Sequence, residues 1–358
     1  MKIKILVMLS LLLGLVVVLS GCATGMTAAS WSGTTVDANN AYIAGGPYVY
    51  AVNLQTGVQA WRFPDKASAA NPFEATPTMT SDGQLIVGGY DKKLYSLNPQ
   101  TGQSNWQFTD ARDRWIGGAL VTEKMIFAPN ADYKLYALNM QGKLQWSFLA
   151  DQAIWGTPVS DGTNVYFGTL GKKVYAVNAQ TGKQAWVQNL DGAVLGTPVL
   201  GADNMLYVGS YGGTIYALNT ANGSAQAIAT TSSSGKDRWI WSGPALDGTT
   251  IYYGDGNGSL YAQPLSGTGQ PWNQQLNGAI TGTPLVTADN LVIGTEAGNL
   301  YFIDRTGENL RPISISGKVY SSPVAAGTLV LVSPTDGDAV LVALDQNGAV
   351  KWSFTPAK

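Results

Sequence analysis

The stretch KVYAVNAQTGKQAW, residues 173–186, falls into three parts: an alternating run up to Asn178, a turn carrying Gly182, and a second run reaching Trp186. Alternation over four to six residues, interrupted by Gly and Asn, reads as two antiparallel strands joined by a hairpin. The glycine supplies a positive-φ turn position, and Asn178 beside it can hydrogen-bond its own backbone. The frame recurs as YVYAVNLQTGVQAW (48–61), KLYSLNPQTGQSNW (93–106), KLYALNMQGKLQW (134–146) and TIYALNTANGSAQA (214–227). Degenerate copies follow as SLYAQPLSGTGQPW (259–272), NLYFIDRTGENLR (299–311) and VLVALDQNGAVKW (340–352).

The anchors Tyr50, Tyr95, Tyr136, Tyr175, Tyr216, Tyr261, Tyr301 and Val342 are separated by 45, 41, 39, 41, 45, 40 and 41 residues. Ahead of each anchor stand two further strand-like pieces, such as GTPVS and NVYFGT, so one repeat holds four strands. Four short strands per repeat, eight repeats and no sustained helical period predict an all-β chain: an eight-bladed β-propeller with four-stranded antiparallel blades. Blade boundaries are expected near residues 64, 109, 149, 189, 229, 275 and 314. A blade cannot bury both faces alone, so the fourth-strand tryptophans Trp61, Trp106, Trp146, Trp186, Trp272 and Trp352 are expected to pack into neighbouring blades; Ala227 and Arg311 replace them in two repeats. The first repeat begins with its own inner strand and the last ends with its own outer strand, which predicts blades of contiguous chain without terminal strand exchange.

The N-terminus, MKIKILVMLSLLLGLVVVLSGCATG, places Lys2 and Lys4 before an apolar run too short for a confident membrane span and ending in small residues. It reads as a signal peptide over 1–21. Leu19-Ser20-Gly21-Cys22 resembles the lipobox of bacterial lipoproteins, which implies acylation of Cys22, the chain's one cysteine. Several acyl chains hold a protein stably on a bilayer, each buried methylene contributing ~0.8 kcal/mol. The expected organisation is a lipidated tether over 22–30, a single propeller over 31–354 and a short tail over 355–358. Ala23 stands where an inner-membrane retention signal would carry Asp, so in a two-membrane envelope the periplasmic face of the outer membrane is expected. Without residues 1–21 the chain keeps 19 basic against 23 acidic side chains, a formal charge of −4, and no basic block, which argues against a nucleic-acid partner.

The LYALN-QTGK-W pattern resembles the repeat of the pyrroloquinoline-quinone-like propellers and covers essentially the whole chain after the leader. In overall plan the chain resembles the acylated eight-bladed lipoprotein of the outer-membrane protein assembly machinery. That resemblance implies a non-catalytic scaffold whose partners are envelope proteins, among them a β-barrel assembly complex, with the bilayer engaged through Cys22. Other members of the repeat family are quinone-dependent dehydrogenases, and resemblance to them would imply a quinone held with calcium by carboxylate and amide oxygens, an aspartate base, and in many a pair of adjacent cysteines. This chain has no cysteine pair, no haem motif and no histidine, which removes imidazole bases and ligands together. Asp113, Asp151, Asp237 and Asp255 could approach a rim, but nothing groups three of them around one ion, and GDGNGS (254–259) reads as a tight hairpin. No enzyme activity, no cofactor and no metal site is therefore expected.

Propellers bind where their loops converge around the central channel. Just before each first strand the sequence offers Trp31, Phe73, Trp115, Trp155, Leu195, Trp241, Ile280 and Tyr320, a second aromatic-rich series. Into this region fall two copies of DRWI, at 113–116 and 237–240, in a chain only 12% charged. Aligning Trp115 with Trp241 puts the copies two residues out of register. Arg offers a rigid fork of donors and Trp apolar area, the combination common in protein contacts. Partner contacts are therefore expected at Arg112, Arg114, Trp115, Trp155, Arg238, Trp239 and Trp241. A scaffold for envelope proteins and an envelope small-molecule or polysaccharide-binding protein both remain open, since an aromatic platform stacks on sugar as readily as on peptide.

Overall fold

Lys173–Asn178 lies third in a sheet whose order is Val159–Ser160, Asn164–Gly168, Lys173–Asn178, Gln184–Asn189, all antiparallel. The computed structural model describes residues 33–232, 235–265 and 269–357, and there this unit occurs eight times. The fourth strands of the first seven blades end at Phe63, Phe108, Leu149, Asn189, Thr230, Gln275 and Ser314, each within one residue of the boundary read from the repeat. The signal peptide, Cys22 and the tether, with Trp31, lie outside the described residues.

Burial follows strand position. In the second and third strands nearly every side chain is buried, because each blade is covered on both faces by its neighbours. The hydrophobic clusters accordingly cross from blade to blade: Phe127 and Leu135 of the third blade pack with Val165 and Phe167 of the fourth. First strands are short and line the centre, while the fourth strands face outward and alternate exposed with packed residues.

The tryptophan and the turn glycine of the repeat explain each other. The Trp186 indole lies on the turn of the next blade and donates from Nε1 to Thr220 O at 2.8 Å. A Cβ on Gly223, which holds φ at +74°, would fall 2.7 Å from that ring. The same stitch runs from Trp61 to Pro99 O at 2.8 Å and from Trp352, across the closing seam, to Leu54 O at 2.8 Å. Trp61 and Trp186 are buried, whereas Trp106, Trp146, Trp272 and Trp352 stay partly exposed, since the stitch lies at the outer rim. Where Arg311 replaces the tryptophan, its guanidinium stacks over Phe302 and its Nη1 donates to Asn347 O at 3.3 Å.

Every sheet is one contiguous segment, including the first, Thr34–Val36 to Gln59–Phe63, and the last, Val324–Ala326 to Val350–Phe354. The ring closes by packing of Ile43 and Tyr50 against Leu331 and Phe354, and by a 2.6 Å hydrogen bond between the Thr34 and Ser333 hydroxyls.

Candidate functional site

The chain enters each first strand from a long connection, and two successive positions there have opposite fates. At the first, the backbone N–H binds a carbonyl in the hairpin of the preceding blade: Trp115 to Gly89 O, Ile154 to Asn130 O, Val194 to Thr169 O, Ile240 to Ser210 O. Those side chains turn into the seam between blades and are buried to 1% exposure or less. The next residue faces the channel, which gives Ile116, Trp155, Leu195, Trp241, Thr281 and Tyr320 around its mouth.

This corrects the register read from sequence. Phe73, Trp115 and Ile280 belong to the buried series, and Trp155, Leu195, Trp241 and Tyr320 to the channel series. Trp115 corresponds to Ile240, so the two DRWI copies are displaced by one residue, not two. Arg114 therefore corresponds to Trp239, and their carbonyls accept from Ala131 and Gly256 respectively. A one-residue slip reverses the direction of every side chain. Trp115, expected as a surface contact, is completely buried among Phe108 and Tyr136, its Nε1 without a partner among the described residues. Trp239 instead comes to the surface.

Four rings gather there. Trp239 lies parallel to Tyr211, with centroids 5.9 Å apart and planes within 3°. Trp241 meets Trp239 edge-on at 5.8 Å and approaches Trp155 at 6.4 Å. Gly256 makes room for this, since a Cβ there would fall 2.2 Å from the Trp239 ring. Tyr211, from the hairpin between the second and third strands of its blade, is 38% exposed, and sequence reasoning missed it. Its signal was present: an aromatic, as at Tyr90, at a hairpin position where other blades carry Ala131, Leu170 or Gly256.

The arginines stand at the rim. Arg114 is exposed with its guanidinium 5.1 Å above Tyr90, itself a channel residue. Arg112 is exposed and held through its backbone N–H by Asp132 at 2.9 Å. Arg238 is exposed too, and its loop is tied by Thr231 Oγ1 donating to Arg238 O at 3.0 Å. The first loop is fixed by the buried Asn130, whose Nδ2 donates to Asp113 O at 2.9 Å. Opposite, Lys318 Nζ lies 3.1 Å from the Tyr320 hydroxyl and 3.3 Å from Glu296, and its pKa is raised by those two contacts.

Inside the mouth lies a cavity of about 380 Å³, walled by Tyr90, Trp155, Trp241 and Tyr320 and by Thr76, Thr157 and Thr197. Among the described residues no Lys or Arg lines it, and its one charged side chain is Glu74. This does not fit the tricarboxylate quinone for which the repeat is named, an anion that calls for cationic partners. Asp255 is taken up in its hairpin, where it accepts from the backbone of Asn257 and Ser259 and from the Tyr261 hydroxyl at 2.9 Å. The surface offers stacking faces, hydroxyls and exposed guanidinium groups.

The sequence matches the model of a family described as outer membrane protein assembly factor BamB over residues 45–154, 142–262, 226–310 and 272–357. It is 26% identical to the outer membrane protein assembly factor BamB of Shewanella oneidensis, covering 82% of this chain and 79% of that protein. It is also 26% identical to a tetrathionate hydrolase of Acidithiobacillus ferrooxidans, over 55% of this chain and 47% of the hydrolase. Among solved structures, BamB from Moraxella catarrhalis superposes with a TM-score of 0.69 at 16% identity, covering 87% of this chain and 92% of that one, a likeness of fold.

Proposed function

The chain belongs to the outer membrane protein assembly factor BamB family of PQQ-like repeat propellers, and on that premise we propose that it is a non-catalytic scaffold holding protein partners in the cell envelope. The partners are envelope proteins, in the first place a β-barrel assembly complex, as the names of its relatives suggest. Residues 1–21 are removed as a leader, acylated Cys22 and the tether to residue 30 hold the ring to the bilayer, and residues 31–354 form the propeller. The location is the periplasmic face of the outer membrane.

The observation that carries the reading is the channel-mouth face. Exposed Arg112, Arg114 and Arg238 share this face with partly exposed Trp155, Trp239 and Trp241, on loops held by hydrogen bonds from Asn130 and Thr231. Arginine with tryptophan on a rigid face is the composition of binding hot spots. Trp115 supports this face from within and makes no contact itself.

The test is capture from gently solubilised native membranes. Replacing Arg114 and Arg238 together with alanine weakens partner capture by more than about tenfold, since losing a charged contact buried in a complex costs ~2–5 kcal/mol. The melting temperature barely moves, because both side chains are exposed. Undiminished capture, or a large fall in melting temperature, would make these loops structural.

A further inference from the structure

We propose that the cavity at the channel mouth is a binding site for a neutral sugar ring, a ligand function that shares Trp155 and Trp241 with the proposed docking face. The about 380 Å³ enclosed there lies within the range of small-molecule sites, about 300–1,000 Å³. Its walls combine two chemistries that few ligands match at once. Trp155 and Trp241 present ring faces with an interplanar angle of 38°, and Tyr211, 6.1 Å from Trp241, extends the surface outward. Deeper in, the segments just ahead of the first strands bring Thr76, Thr157 and Thr197 to the wall. A pyranose has a flat C–H face for the rings and a rim of hydroxyls that both donate and accept, as threonine hydroxyls do.

Charge narrows the choice. No basic side chain lines the cavity among the described residues, so an anionic ligand would leave water without a counter-charge. A quaternary ammonium would be drawn to the cavity's rings and to Glu74, so it is the ligand that the test sets against sugar. Trp155 and Trp241 meet at 6.4 Å, so two of the cavity's rings form one stacking wall, which suits the C–H face of a sugar.

Saturation-transfer NMR on the purified full chain tests this, with cellotriose, maltotriose and chitotriose as sugars and choline as the cationic comparison. At least one sugar saturates at millimolar concentration or below, with transfer strongest to its ring C–H protons. Trp155→Ala and Trp241→Ala each weaken it by about three- to tenfold, the loss of one stacking partner. Trp106→Ala at the outer rim leaves it unchanged. Thr157→Val, which keeps the volume and removes a hydroxyl, weakens it in the same direction should a tryptophan variant lose its fold. Absence of saturable sugar binding up to about 20 mM, sugar binding that survives both channel-tryptophan variants and Thr157→Val, or choline binding in place of sugar would each overturn the proposal.

Discussion

The indole of Trp186 occupies the space that a side chain on Gly223 would need, so each blade is keyed to the next by a ring and a missing Cβ. Gly223→Ala should therefore cost more than its backbone. The left-handed conformation alone costs an alanine about 1–2 kcal/mol, and displacing the ring adds about 1–3 kcal/mol. Gly46→Ala, at φ +57° with nothing within 4 Å, carries only the first cost. Thermal unfolding of the two variants side by side separates them, and equal losses would remove the keying argument.

The closing seam predicts a second outcome. Among the described residues no exchanged strand joins blade eight to blade one, so Trp352 on Leu54 and Gly57 has the work of any internal stitch. Trp352→Ala is expected to cost about 2–3 kcal/mol, below the ~3–5 of a fully buried tryptophan, and Trp106→Ala about the same. Denaturant midpoints measure both. A negligible effect at Trp352 alone would mean the ring is held shut by other contacts.

Acid should loosen the blades in a defined window. Burial pushes the Asp161 carboxyl up, but the backbone N–H groups of Asn164 and Thr163 and the Tyr166 hydroxyl outweigh it and hold the group below its usual value. Asp37 and Asp247 are held down in the same way by Tyr42, Tyr252 and nearby backbone N–H groups. Burial, then the Asp161 hydrogen bond, pushes the Tyr166 hydroxyl up to about 12, so the donor keeps its proton at neutral pH. A carboxylate whose folded pKa is depressed stabilises above its unfolded value of ~3.9 and loses that contribution as pH falls through the folded value. Melting temperature is thus expected to hold from neutrality to about pH 5 and decline below about pH 4. Asp161→Asn should melt lower at pH 7 and lose less on acidification; an unchanged acid slope in the Asp37, Asp161 and Asp247 triple variant would refute the assignment.

Membrane attachment has a single-residue test. Cys22→Ser should leave the protein unacylated and move it from the membrane to the soluble fraction, because the chain contains no second cysteine. Intact mass of the membrane-derived wild-type protein is expected to begin at Cys22 with acyl chains attached. An unmodified N-terminus there, or one further along, would end the lipoprotein reading.

The blades were legible because one repeat writes both partners of a contact, the Trp of one copy and the glycine turn of the next, at near-constant spacing. The channel mouth was legible only to within a residue. Trp115 and Trp155 look alike in a string, both bulky and both just ahead of a glycine, Gly117 after Ile116 in one case and Gly156 at once in the other. What separates them is which N–H reaches the preceding hairpin, Trp115 itself or Ile154 before Trp155, and the variable length of the connection hides that. Tyr211 escaped notice for another reason: it arrives from a hairpin, and only the docking of the following connection on that hairpin brings it beside Trp239.

Contiguous blades also free the chain from its own starting point. Because no strand is shared between the first and last blades among the described residues, the order of blades is cyclic in every respect but the link between residues 354 and 33. Joining those ends with a connector like the nine residues at 150–158, between Leu144–Leu149 and Val159–Ser160, and cutting any other connection would yield a circular permutant with the same eight seams. Moving the cut would carry the N-terminus to a different blade of the ring.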